Sequence, residues 1–163
     1  MEARNCQELG VNLQKICSRL LANDELIKLL YYEDVDPLSQ VALTEEKKRV
    51  EIFNNLICVV PKVGAREDSK SVIAIYVPKA AGISGNSEFR AVTIAIDIFV
   101  PWTQWIIKDS NLRPFAIMGE IQKSLAGKTV NGLGKIQGGD FDLVLLTNEM
   151  SGYRQVFTIT EYE

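Results

Sequence analysis

The sequence predicts an α+β fold: a mostly antiparallel mixed sheet with helices packed on one face and further helices at the N-terminus. Three observations point there. Apolar residues recur at helical spacing through the first third of the chain, alternation with a period of two dominates after Pro61, and one helical stretch interrupts the strands near Pro114. Helices grouped ahead of largely antiparallel strands are the pattern of this class. With no internal repeat, linker or low-complexity tract, residues 1–163 read as one domain, a helical segment 1–57 followed by a sheet–helix–sheet body 58–163.

The elements follow in order. Leu9, Leu13, Ile16, Cys17, Leu20 and Leu21 keep the 3.6-residue period and predict an amphipathic helix over 5–22. Asn23 then serves as an N-cap, with Asp24 and Glu25 in the first turn of a short helix that buries Leu26, Leu29 and Leu30. Asp36-Pro37 disfavours helix, so "YYEDVDPLSQVAL" reads as irregular chain. Thr44 caps a third helix that presents Val50, Phe53, Leu56 and Ile57 on its face, and Pro61 closes the "ICVV" that follows.

"SVIAIYV", residues 71–77, is apolar on both faces and reads as a central strand between two loops, 62–70 and 78–88, the second rich in Gly, Ala and Ser. The next strand, 89–100, sets Val92, Ile94, Ile96, Ile98 and Val100 on one side. Asp97 lies on the other, where an acid is solvated or paired across the sheet. Pro101 ends this strand because it cannot donate to the ladder. Asp109, Ser110 or Asn111 caps a helix that Pro114 enters near its first turn, with Phe115, Met118, Ile121, Gln122 and Leu125 on or near one face and Gly127 at its C-terminal left-handed position. "LGKIQ" and "FDLVLLT" read as strands bracketing a "GGD" turn, and "NEMSG" turns the chain into a last strand, "YRQVFTITEY".

Composition narrows the chemistry. The chain has no histidine, which removes the commonest general base, the usual nucleophile triads and imidazole metal ligands. Cys6, Cys17 and Cys58 have no CxxC spacing, and the last two read as small core residues. "GLGKIQGGD" lacks the spacing of a phosphate loop, and "GGDFD" lacks the remaining ligands of a calcium loop, so Asp140 and Asp142 read as turn residues. The expectation is a non-enzyme with no catalytic residue, cofactor or metal. The net charge of −3 comes from mixed charges with no basic block, which disfavours tight duplex binding. With no long apolar run or apolar leader, a membrane role is not expected either, and the cytosol is the expected site of synthesis and residence. Trp102 and Trp105 stand out: they either cover the open end of the sheet or belong to an interface, where tryptophan is enriched. Tyr31, Tyr32 and Ile83 join them as candidate interface residues.

The strand "VTIAIDIFVP", the helix "LRPFAIMGEIQKSL" and the closing "YRQVFTIT" together resemble the tail terminator (tail completion) proteins of tailed bacteriophages, over most of the chain. "LLANDELIKLLYYEDVDPLSQVALTEE" is similar to a segment of neck and tail proteins of firmicute phages. The extra short helix and the "YYEDVDPLSQ" insertion depart from the family layout and leave the exact position in the neck open. The resemblance implies a structural virion protein, assembled in the host bacterial cytoplasm, that forms a hexameric ring at the head-proximal end of the tail. Its implied partners are itself, the tail tube protein and the head–tail connector or neck proteins. Phage DNA would pass through the lumen without specific binding. Loops 62–70 and 78–88 would become ordered against tube or neck partners. The alternatives are a head-completion stopper or other neck protein, or a small cellular binding domain.

Overall fold

In the computed structural model the described residues are 3–59, 70–83, 86–129, 134–145 and 150–162. Helix α1 (Ala3–Leu21) buries Ile16, Cys17 and Leu20. Asn23 caps α2 (Asp24–Tyr31) as expected: its Oδ1 accepts from the Leu26 amide at 3.1 Å. Its amide nitrogen donates to Ser124 Oγ at 2.8 Å, so the same side chain moors α2 to the far helix. Thr44 likewise accepts from the Lys47 amide and starts α3 (Glu45–Lys47).

The third helix is much shorter than its apolar spacing predicts. It widens into a π turn, Lys48–Ile52, and leaves helical geometry at Phe53, with Asn54 at φ 61°. Lys48 supplies a reason. It is buried, yet its ammonium reaches Asp24 at 2.6 Å and Glu45 at 3.1 Å, so the turn is held by a charge that burial would otherwise penalise. Val50 consequently points outward and is exposed rather than buried.

The sheet is five-stranded, in the order β1-β2-β3-β7-β6, with β1 (Ile57–Cys58), β2 (Val72–Ile83), β3 (Asn86–Pro101), β6 (Ile136–Leu145) and β7 (Met150–Tyr162). Among the described residues β1–β2 is the one parallel strand pair of this sheet, so it is mixed and mostly antiparallel, and the α+β expectation is borne out. A two-stranded ribbon, β4 (Ile106–Ile107) and β5 (Asn111–Leu112), precedes α4 (Arg113–Leu125).

Several expectations are corrected here. Residues 78–83 are not loop: β2 continues to Ile83 by pairing with β3, Ala80 against Val92, after a bulge between Tyr76 and Lys79. Residues 86–88 likewise belong to β3. Long-range pairing overrides a composition that reads as flexible. β2 lies inside the sheet, as expected, between β3 and β1, which among the described residues pairs with it over two residues. The "GGD" segment is not a turn. Gly138 and Gly139, at φ +105° and +113°, form a bulge inside one continuous β6, so Asp140 and Asp142 sit on a strand. Met150 to Gly152 already belong to β7 rather than to a turn. Residues 62–69, 84–85 and 148–149, which carry the remaining loop expectations, and 146–147, expected as strand, lie outside the described residues.

Helix α4 starts without the predicted side-chain cap. Asp109 and Ser110 instead take positive φ in the tight turn between β4 and β5, and Asn111 accepts from the Leu112 amide. The first α4 amide, of Arg113, donates to the Trp105 carbonyl at 2.7 Å, so backbone does the capping. Ile117, Met118, Ile121 and Leu125 are buried, whereas Phe115, assigned to that face, is exposed. Gly127 has the expected left-handed φ, +70°.

α4 lies on the side of the sheet that carries Val92, Ile94, Ile96, Ile98 and Val100. Gln155, the cross-strand partner of Ile96, donates from that same face to the α4 Met118 carbonyl at 3.4 Å and to Gln122 Oε1 at 3.1 Å. All five strand residues belong to the buried cluster with Met118 and Ile121. Among the described residues no helix is long and apolar enough to cross a membrane.

Candidate functional site

Strand β3 stops at Pro101, level with the start of β7 and the end of β6. The chain then makes a 3-10 turn, Trp102–Gln104, runs through the β4–β5 ribbon and enters α4.

Trp105 is half-buried against the core, and its indole Nε1 donates to the Val100 carbonyl at 3.0 Å. Its ring stands 6.2 Å from Tyr153, which in turn meets Phe115 at 5.1 Å and Phe141 at 5.5 Å. Phe115 and Phe141 close the group edge-to-face at 6.0 Å. Members of this group and their chain or ladder neighbours are exposed: Phe115 is 40% exposed, Phe141 49%, Leu143, which pairs with Tyr153, 58%, Trp102 63% and Ile106, next to Trp105 in the chain, 71%. Scattered exposed apolar residues need no explanation, but a contiguous patch marks a contact surface.

A buried cation fixes this rim to the rest of the subunit. Arg113, 1% exposed, donates Nε to the Gln104 carbonyl at 2.9 Å and Nη2 to Asp34 O at 2.7 Å. Its Nη1 donates to Leu29 O at 2.6 Å and Tyr32 O at 2.8 Å. The planar fork thus gathers carbonyls from the end of α2, the segment after it and the Trp102 turn. Burial pulls the guanidinium pKa below its ordinary value, but arginine stays charged.

The other face of the sheet is polar. Asp97 accepts Arg154 Nε at 2.7 Å and Nη2 at 3.1 Å, and accepts the Tyr76 hydroxyl at 2.9 Å. This is the cross-strand pairing that an acid in an apolar strand called for. Burial first, and then the hydrogen bond to Asp97, push the Tyr76 phenol up. Asp142 stands opposite Arg154 on the next strand. The carboxylate has its partners, and the group reads as a structural pin. Among the described residues no cluster of metal-ligating side chains forms. A shallow cleft of about 440 Å³ between residues 35–38 and 107–111 has Asp36 and Lys108 already paired at 3.2 Å.

The candidate interface residues fall into separate places. Trp102 and Trp105 share the rim. Tyr31 and Tyr32 pack edge-to-face at 5.1 Å at the end of α2; the Tyr32 hydroxyl donates to Val41 O at 2.6 Å, and Lys70 sits over the Tyr31 ring at 4.2 Å. A hydrogen bond to Glu51, then burial, raises the Tyr31 phenol. The backbone of Ile83 lies at the opposite end of β2 from the rim, and its side chain is outside the described residues. Sequence reasoning missed Phe115, Phe141, Leu143 and Tyr153. The signal was the Phe141, Leu143, Leu145 alternation in a stretch already read as a strand, whose outward face was not assigned.

A protein-family model, YomW, matches residues 23–159. The chain belongs to the YomW family. YomW is a phage-derived, Bacillus prophage-type family, so this is a phage-associated protein. The YomW match runs from the α2 cap, Asn23, into β7 and takes in the whole apolar rim, while α1 precedes it. No curated protein matches the chain.

Proposed function

We propose that this YomW-family chain is a structural virion protein of a tailed phage. It forms a ring, a hexamer in the family it resembles, at the head-proximal end of the tail. There it ends growth of the tail tube and presents the surface on which head or neck proteins dock. The observation that carries this reading is the exposed apolar rim of Trp102, Ile106, Phe115, Phe141 and Leu143 in a phage-associated chain. Burying one such side chain contributes roughly 1.5–3 kcal/mol, and a ring repeats that gain at every subunit. The role asks for contact surface rather than a catalytic group, cofactor or metal. A net charge of −3 lets DNA pass without strong phosphate contacts.

The test is assembly. Purified protein is examined by light scattering and negative-stain electron microscopy over a wide concentration range, then added to polymerising tail tube protein from the same phage. Rings, and tubes that stop growing when capped, are expected. A protein that stays monomeric and leaves tube length unchanged would overturn the reading.

A further inference from the structure

Among the described residues the sheet has two open edges, and their chemistry fits one to the other. At one side, the start of β6 is covered: the Gly127 amide donates to Ile136 O at 2.8 Å and the Ile136 amide to Lys128 O at 3.0 Å. Past the bulge, residues 140–145 pair inward with β7, and among the described residues no strand meets their outer side. This stretch exposes Phe141 and Leu143 on the helix-bearing face and Asp140 and Asp142 on the other. At the other side, β1 meets β2 at Ile73 and Ala74, and residues 75–83 of β2 have no outer strand among the described residues. Here exposed Lys79 lies on the polar face, level with Thr93, and small Ala80 on the helix-bearing face, level with Val92.

We propose that a second copy of this chain lays residues 75–83 of its β2 along residues 140–145 of β6, head to tail, so that each subunit offers one edge of each kind. The contact rests on the ring reading above and names the surface that builds it. Direction favours it. β2, β3, β7 and β6 alternate in direction, so a neighbour in the same orientation brings its β2 antiparallel to β6. Face favours it too: Lys79 joins the side of Asp140 and Asp142, while Ala80 leaves room for Phe141 and Leu143, which the neighbour then covers.

Charge selects this pairing over the two-fold alternatives. Pairing β6 with another β6 sets Asp140 and Asp142 against their own copies, and pairing β2 with β2 sets Lys79 against Lys79. Like charges in facing positions destabilise a ladder. Only the unlike edges attract, and a head-to-tail contact that repeats by rotation closes a ring.

The experiment compares the full wild-type chain with Lys79→Glu, Asp140→Lys, the double variant and Leu143→Lys. Sedimentation velocity reads assembly and thermal melting by circular dichroism reads folding. Each single charge reversal is expected to raise the concentration needed for assembly about tenfold without changing the melt. The double variant, which restores opposite charges, returns it toward wild type. Leu143→Lys weakens assembly through the other face and keeps the test open should a charge variant melt early. If wild type assembles and the variants assemble equally well, or the double variant rescues nothing, this contact is wrong while the ring stands. A wild-type chain that never assembles removes the ring and the contact together.

Discussion

Arg154 lies directly across the β3–β7 ladder from Asp97 and forks onto its carboxylate, with contacts of 2.7 and 3.1 Å. The pair is asymmetric: Asp97 is 7% exposed, whereas Arg154 keeps much of its side chain in water. Removing the arginine therefore costs more than neutralising the acid. Arg154→Ala leaves a buried carboxylate with only the Tyr76 hydroxyl and should cost about 2 kcal/mol, while Asp97→Asn, whose amide oxygen can still accept, should cost about 1 kcal/mol. Urea unfolding of the two variants measures the order. The reverse order would mean that the guanidinium, rather than the carboxylate, is the group that suffers desolvation.

Alkaline pH should weaken the fold through Cys17. Burial first, then the nearby Cys58, push its thiol from 9.0 up to about 11. The folded state holds the proton where the unfolded chain has released it. This contribution is therefore whole below the unfolded value and is lost as pH rises toward the folded one. Stability should fall by about 1.4 kcal/mol per pH unit above pH 9 from this group. Cys17→Ala, though less stable at pH 7 for want of packing, should show a shallower alkaline decline in denaturant titrations at pH 8 to 10.5. An unchanged decline would assign it to other groups, such as the raised Tyr76.

The two tryptophans should separate by measurement. Trp105 is packed against the core and bonded to Val100 O, so Trp105→Ala should cost about 3 kcal/mol of subunit stability. Trp102 is exposed, so Trp102→Ala should melt like wild type and lose its effect only in association. Thermal melting beside light scattering distinguishes them. Equal melting temperatures for both variants would contradict this division.

What the sequence made legible was local. Asn23 and Thr44 act as caps within their own turn, and the alternation from Val92 to Val100 and the helix period at Met118 and Ile121 each leave one face to bury. What stayed hidden depended on partners far along the chain. Gly138-Gly139 suits a turn or a bulge equally well, and only the ladder to Phe157 and Val156 selects the bulge. Residues 78–83 have a loop's composition and become strand because β3 offers them a ladder. Phe141 and Leu143 join the aromatic group through their ladder partners on β7, which local spacing does not reveal. Arg113 gave no sign at all: a cation beside a helix-opening proline reads as surface until the carbonyls from α2 arrive around it.

Those carbonyls are remote in sequence: Leu29, Tyr32 and Asp34 lie 84, 81 and 79 residues from Arg113. We expect such a cluster to close only after α2 and α4 have docked, past the rate-limiting step of folding. Weakening it should therefore speed unfolding and hardly slow folding. Arg113→Lys, which cannot reproduce the planar fork, should lose about 2 kcal/mol and unfold about thirtyfold faster in stopped-flow measurements, with the refolding limb unchanged. Slower refolding instead would place the cluster in the folding nucleus. A subunit guarded in this way keeps its shape through the height of its exit barrier, which is the durability that the proposed role as a virion part would require.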